Sequence, residues 1–247
     1  IQNVNVNVDP VRDLEIIQTE MKLADIESIE KRLDKKNKKN ISTEQVQLLE
    51  TALDYINNNK NISEISNLYE KKEIEMSGIL SLKPNLYVCN VEEDSAATGN
   101  SLSAKVAERA AAEGAETVVI SARIEEELAQ LDESERLEYL QSLGLEEPGL
   151  NRLIEQGYHL LDLITYFTCG PKETRAWTVR SGSTAPQAAG IIHTDFERGF
   201  IRAETTAYED YVACKGESGA RETGKLRQEG KEYIVQDGDV MLFKFNV

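Results

Sequence analysis

Leu86-Tyr-Val-Cys-Asn90-Val-Glu-Glu93 is the stretch on which the reading of this chain turns. Residues 86–89 are a short apolar run of the kind that forms a buried strand in a parallel sheet. The run ends in Asn90-x-x-Glu93, and ligands of open α/β sheets bind just beyond the carboxyl ends of the strands. An Asn at that point offers both an amide donor and an acceptor to a purine edge, and a carboxylate three residues later accepts from a ring N–H. Alone, N-x-x-E is a weak pattern that fits a plain polar loop equally well. A second apolar run, Thr117-Val-Val-Ile120, ends in Ser121-Ala122-Arg123. Between the two lies an Ala-rich helical stretch, residues 101–113, preceded by Gly99-Asn100 and stopped by Gly114. Strand, polar loop, helix, strand and S-A loop follow in the order of a nucleoside-binding half-domain.

Upstream, Asp9-Pro10 reads as a helix start, with Asp as cap and Pro at the first helical position. Leu14, Ile17, Met21 and Ala24 recur at steps of three and four, and the helix is expected to run to about Leu33. Lys35-Lys-Asn-Lys-Lys-Asn40 reads as a solvated turn. Ser42-Thr-Glu-Gln45 is a capping box ahead of a second stripe at Val46, Leu49, Leu53 and Ile56. Two amphipathic helices with a polar tip predict an antiparallel helical hairpin. Ser63 is expected to cap a shorter helix to about Ser77. The first residues, Ile1-Gln-Asn-Val-Asn-Val-Asn-Val8, alternate like the end of a strand, with no initiator Met and no basic or apolar leader, so the expectation is a chain whose front is missing.

Downstream, an acidic helical stretch follows Arg123, with Asp132-Glu-Ser-Glu135 as a cap box and Gly144 as a stop. Pro148 opens one more helix, expected to about Gln156. From Leu161 the period changes from 3.6 to 2. Ile164, Tyr166 and Thr168, then Thr174, Ala176 and Thr178, predict a hairpin around Cys169-Gly-Pro-Lys172. A short helix after Thr184 and strands at residues 200–206, 233–235 and 240–245 complete a small β-grasp, ubiquitin-like pattern. Asp237-Gly-Asp239 lacks the later acidic ligands of a calcium loop and reads as a turn.

The 247 residues suffice for one large or two to three small domains, and the 40% hydrophobic content suits a globular protein. No apolar run is long enough to span a membrane. Three scattered cysteines and two histidines give neither a disulfide framework nor a metal motif, and they fit a reducing, cytoplasmic setting. The net charge of −16 is uneven. Residues 162–247 hold 11 Lys+Arg against 13 Asp+Glu, whereas residues 1–161 hold 17 against 31. An acidic bulk opposes nonspecific attachment to DNA or RNA, but a local basic patch still allows docking. If any part of the chain touches the ribosome or RNA, charge favours residues 162–247, where Arg175, Arg198, Arg202, Lys225, Arg227 and Lys231 are the candidate contacts. Gly219-Ala-Arg-Glu-Thr-Gly224-Lys225 matches the spacing of a phosphate-binding loop, yet Leu226 stands where Ser or Thr should bind Mg²⁺, and polar residues precede it. It is rejected as a P-loop.

Several long motifs carry a family resemblance: Asn90-Val-Glu-Glu93, Gly144-Leu-Glu-Glu-Pro-Gly-Leu-Asn-Arg152, Tyr166-Phe-Thr-Cys-Gly-Pro-Lys-Glu-Thr-Arg-Ala-Trp177, His193-Thr-Asp-Phe-Glu-Arg-Gly-Phe-Ile-Arg-Ala203 and Tyr233-Ile-Val-Gln-Asp-Gly-Asp-Val-Met241. Over essentially all its length the chain resembles the Obg-like ATPase family of the ribosome-binding YchF type. The resemblance implies an α/β and α+β multidomain architecture: a partial P-loop GTPase-like α/β domain with an inserted α-helical hairpin, followed by a C-terminal β-grasp TGS domain. In these terms residues 1–8 are a remnant of the nucleotide domain, 9–77 the hairpin, 78–161 the second half of the nucleotide domain and 162–247 the TGS domain. It implies ATP hydrolysis in preference to GTP, with ATP and Mg²⁺ in the intact protein, and the ribosome or ribosomal RNA as partner, with no membrane and no DNA. It places Asn90 and the backbone around Val91 at the base, with Ser121 and Ala122 supporting it. GTPases carry Asp at the position of Glu93 and Lys at that of Val91, so the departure at these two residues spoils a guanine fit. The P-loop, its Lys and its Mg²⁺-binding hydroxyl are not in this chain. The expectation is therefore no catalytic residue, no metal site and no tight nucleotide binding in the chain alone, with a non-catalytic ribosome- or RNA-binding module as the alternative.

Overall fold

The computed structural model describes residues 8–170 and 172–246. The alternation at residues 1–7 and Pro171 of the expected hairpin turn lie outside the described residues. The chain divides into two compact units, one ending at Leu153 and the other beginning at Ile154.

The first unit begins with helix α1 (Pro10–Leu33), capped by the Asp9 carboxylate on the Arg12 N–H, and α2 (Thr43–Asn57), capped by Ser42. They pack on each other through Ile29, Leu48, Leu49 and Ala52, all fully buried. The single helix expected over residues 63–77 is instead a 3-10 segment, Ile62–Asn67, followed by α3 (Lys71–Ser77). The Asn61 side chain takes the Ser63 N–H, and the chain breaks step between the two pieces. A second side chain ties α1 to the connector that follows. Asp25, 2% exposed, accepts from the Leu80 N–H at 2.7 Å, the Ser81 N–H at 2.8 Å and the Ser81 hydroxyl at 2.5 Å. A buried carboxylate is tolerated here because each of its oxygens is hydrogen-bonded.

The connector delivers the chain to β1 (Leu86–Asn90), α4 (Ser101–Glu113) and β2 (Glu116–Ile120), a βαβ unit with β1 and β2 parallel. Alanine makes α4 a strong helix former. Its start is fixed by a reciprocal cap between Asn100 and Ser103, and its end by Gly114 at φ 70°. Helices α5 (Ala122–Leu128), α6 (Glu133–Ser142) and α7 (Gly149–Leu160) follow. Helix α7 runs four residues past its expected end.

The second unit is a five-stranded mixed sheet in the order β4-β3-β7-β5-β6. The strands are β3 (Leu163–Cys169), β4 (Thr174–Arg180), β5 (Phe200–Ala207), β6 (Arg227–Glu229) and β7 (Asp239–Phe245). Strand β7 runs parallel to β3 and antiparallel to β5, so the end of the sequence sits in the middle of the sheet. Helix α8 (Ala185–Ile192) covers one face. Ala185, Ala188 and Ala189 let it approach Tyr166, Val179, Met241 and Phe243 closely, and the Tyr166 hydroxyl donates to the Ala188 carbonyl at 2.8 Å. Short helices α9 (Thr194–Arg198), α10 (Tyr208–Ala213) and α11 (Glu217–Glu222) fill the connections.

Residues 233–235 are not a strand. Ile234 makes one isolated bridge to Thr184, the Val235 N–H goes to Ser183 and the Tyr233 carbonyl takes the Ala185 N–H. The segment is spent on the entry to α8, and β6 is the strand that pairs with β5 instead. Asp237-Gly-Asp239 is turn chemistry: Asp237 accepts the Thr165 N–H, Asp239 accepts the Gln236 N–H, and Gly238 has φ 80°. The P-loop-like stretch begins inside α11 and ends in its exit. A Cβ on Gly219 would lie 1.9 Å from the Cys214 carbonyl oxygen, so this glycine serves packing.

Candidate functional site

Two loops meet at the carboxyl ends of β1 and β2. The parallel register puts Asn90 beside Ile120, and the Val91 N–H adds one more rung to the Ile120 carbonyl at 2.8 Å. The Asn90 side-chain oxygen then accepts the Ala122 N–H at 2.8 Å. Asn90, Val91, Ser121 and Ala122 are thereby brought together. The Asn90 side-chain oxygen thus holds the second loop. The Ser121 side-chain oxygen is buried with no hydrogen-bond partner among the described residues. A buried hydroxyl without a partner is costly, and it marks a place where a polar ligand atom or water would be stabilised.

Glu93 also faces the second loop. Its Oε1 lies 2.7 Å from the Nε of Arg123, the residue after Ala122. Arg123 reaches Glu127 at 3.6 Å as well. Glu127 in turn accepts a short hydrogen bond from the Tyr139 hydroxyl. That bond, aided by burial, pushes the Tyr139 pKa up to about 12. The chain Glu93–Arg123–Glu127–Tyr139 links the loop after β1 to α5 and α6.

The second loop is held from below by residues to which the sequence assigned no role in the site. Glu125 of α5 accepts the Gly149 N–H at 2.7 Å, and Gly149 is packed so closely on Ile120 that a Cβ would sit 2.9 Å from its Cγ2. Arg152 Nη2 donates to the Val119 carbonyl at 3.2 Å. The Gly144–Arg152 motif thus seats α7 against the end of β2. On the other side, the Tyr87 hydroxyl donates to Glu113 at 2.8 Å, and Gln18 of α1 donates to both at 2.9 Å. Partial burial, then the Glu113 bond, raise the Tyr87 pKa. Cys89, between these groups and Asn90, has its thiol pKa raised by burial.

The six candidate contacts in the second unit do not form one patch. Arg175 and Arg227 are on β4 and β6, the two edges of the sheet. The Arg175 guanidinium lies over the Trp177 ring, 4.2 Å from its centroid. Arg227, though exposed, is tied down, bonded to Glu229 at 2.9 Å and the Tyr233 hydroxyl at 3.1 Å, with Asp239 at 3.6 Å. Lys225 pairs with Asp210 at 3.1 Å, and Arg198 with Asp195 at 3.6 Å. Lys231 is exposed. Arg202 is exposed and stands opposite Lys244 in the β5–β7 register. Directly opposed like charges repel, and Lys244 has the Glu204 carboxylate 3.7 Å away to offset this.

Among the described residues no group of three His, Cys, Asp or Glu side chains is arranged to hold a metal ion, and no helix is long and apolar enough to cross a membrane.

Comparison with known proteins places these features in context. A family profile described as YchF-GTPase_C, protein of unknown function (DUF933), matches residues 163–246. The whole chain is 50% identical to the ribosome-binding ATPase YchF of Haemophilus influenzae and 46% identical to that of Bacillus subtilis, covering 69% and 70% of their lengths. Its fold is similar to the YchF GTPase of Schizosaccharomyces pombe, with a TM-score of 0.79 at 33% identity, over 99% of this chain and 68% of that one. A GTP-binding protein of Pyrococcus horikoshii shares the fold, with a TM-score of 0.62 at 18% identity.

Proposed function

The chain belongs to the YchF family of ribosome-binding ATPases, and on that premise we propose that its two β-strand loops form the base-reading end of an ATP site. The observation that carries this is the bond from the Ala122 N–H to the Asn90 side-chain oxygen, which joins the loops. Asn90 donates to a purine ring nitrogen, the Val91 backbone lines the base, and Ser121 and Ala122 support it. The unpartnered Ser121 hydroxyl is consistent with a polar occupant. Glu93, longer than the Asp that GTPases carry there, spoils the fit to guanine, and adenine loses nothing because it has no donor at N1 or C2.

Phosphoryl transfer needs positioned cations and amides around the phosphates. No such set was found in the sequence, and residues 219–225 belong to a packed helix and its exit. ATP and Mg²⁺ would therefore be held at the phosphate end by elements outside these 247 residues. The chain binds ATP weakly through the base and does not hydrolyse it. Turnover by pure material of the correct mass would overturn this.

In the same reading residues 9–77 are a helical hairpin inserted into the nucleotide domain, 78–161 its second half, and 162–247 a β-grasp TGS domain. The sheet order and the packing of α8 on its core support the last assignment. The relatives are named for ribosome binding, and we infer that the ribosome or its RNA is the partner of this chain in the cytoplasm. Exposed Arg175, Arg202 and Lys231 are its favoured contacts. Charge reversal of Arg175 and Arg202 should weaken co-sedimentation with ribosomes. Unchanged co-sedimentation would refute these contacts.

A further inference from the structure

The Glu93–Arg123 ion pair spans the same two loops that Asn90 and Ala122 join. We propose that Arg123 is a specificity-determining positioning residue of the purine slot, which occupies the Glu93 carboxylate and so withdraws the acceptor that a guanine edge would need. This rests on the reading of the loops at Asn90 and Ala122 as base-binding. Guanine presents two donors on one edge, the N1–H and the 2-amino group. Adenine presents an acceptor at N1 and a C–H at C2. An ionised carboxylate only accepts. Left free beside the slot, Glu93 would still offer guanine an acceptor, though a longer and worse-placed one than the Asp of GTPases. Engaged by a guanidinium, it has less acceptor capacity to offer, and adenine loses nothing.

The geometry supports a held pair rather than a chance approach. Arg123 Nε sits 2.7 Å from Glu93, and Glu127 lies 3.6 Å from the same nitrogen. Glu127 is itself fixed by Tyr139 from α6. The cation is thus steered from two sides, and its position is set by α5 and α6 rather than by the loop it closes. Its strength is bounded by solvent. The Arg123 side chain is 74% exposed and that of Glu93 34%, and pairs of this exposure shift an equilibrium by no more than about fivefold.

The test is amide NMR titration of the 247-residue chain with adenosine and, separately, guanosine at millimolar concentration, following Val91 and Ala122. The unsubstituted chain should respond to adenosine in preference to guanosine. Arg123→Ala should raise guanosine affinity relative to adenosine by about fivefold. Arg123→Lys should largely restore the original ratio. Arg123→Ala combined with Glu93→Gln should abolish the gain, because the freed acceptor is then gone. An unchanged ratio in Arg123→Ala, or a gain that survives in the double variant, overturns the role of Arg123 and leaves the purine slot standing. Silence of the unsubstituted chain to adenosine overturns the slot itself and this inference with it.

Discussion

The side-chain oxygen of Asn90 accepts the Ala122 N–H at 2.8 Å, so two parallel strands are tied together one step beyond their last backbone rung. The tie gives Asn90 a structural job, separable from the donor role proposed for its NH₂ group. Asn90→Ala loses both, and should cost about 1 kcal/mol of stability, the usual net worth of one hydrogen bond. Asn90→Asp keeps an acceptor for Ala122 and loses only the donor. It should stay within about 0.5 kcal/mol of the parent in urea unfolding while ATP-induced shifts at Val91 and Ala122 disappear.

Asp25 anchors α1 to the segment that feeds β1, through three hydrogen bonds to residues 80 and 81. Asp25→Ala would strand two half-buried N–H groups and a hydroxyl. A loss of about 2–4 kcal/mol in urea unfolding of the first unit is expected. A loss below about 0.5 kcal/mol would mean that these groups find other partners.

Gly219 and Lys225 belong to the stretch that mimics a phosphate loop. If the glycine serves packing, Gly219→Ala must push a Cβ against the Cys214 carbonyl, which is backbone and cannot step aside. The second unit should lose at least about 1–3 kcal/mol. Lys225→Ala removes only an exposed pair with Asp210 and should change stability by less than about 1 kcal/mol. ATP-induced shifts at the Asn90 loop should be the same in Lys225→Ala as in the parent. Their loss would restore the phosphate-loop reading.

Tyr233 in the second unit gives a pH signature. Burial, then its bond to Asp239 at 2.7 Å, push its pKa to about 12 in the folded chain. An unfolded Tyr ionises near 10. The folded-state pKa is the higher, so this stabilisation is whole below pH 10 and is lost as pH rises through 12. Thermal unfolding of the second unit between pH 9 and 12, followed by near-ultraviolet dichroism of Trp177, should fall more steeply in the parent than in Tyr233→Phe. Parallel curves would contradict the assignment.

How much of this was legible in the sequence depended on the range of the interaction concerned. Helices α1 and α4 begin and end where Asp9, Asn100 and Gly114 said they would, because caps act within one turn. Strands β1 and β2 were readable as apolar runs. The three-residue β6, Arg227–Glu229, has no apolar alternation and exists only because β5 offers it an edge. Residues 233–235 have the composition of a strand, but their backbone groups are taken by Ser183 and Ala185, some fifty positions upstream. The loop residues Asn90 and Ala122 could be picked out as candidates, whereas the Arg123–Glu93 pair and the Glu125–Gly149 latch could not. Each joins segments whose approach depends on the fold, and nothing in the spacing of charges reveals it. The candidate basic patch failed to assemble for the same reason: sheet order, not sequence proximity, decides that Arg175 and Arg227 occupy opposite edges.

The most direct measurement is a backbone amide NMR titration of the chain with ATP, read for where the shifts fall. The proposed purine slot predicts weak, saturable shifts centred on Val91 and Ala122, larger with ATP than with GTP. Shifts centred on residues 219–225, or none at the two loops at millimolar ATP, would contradict it.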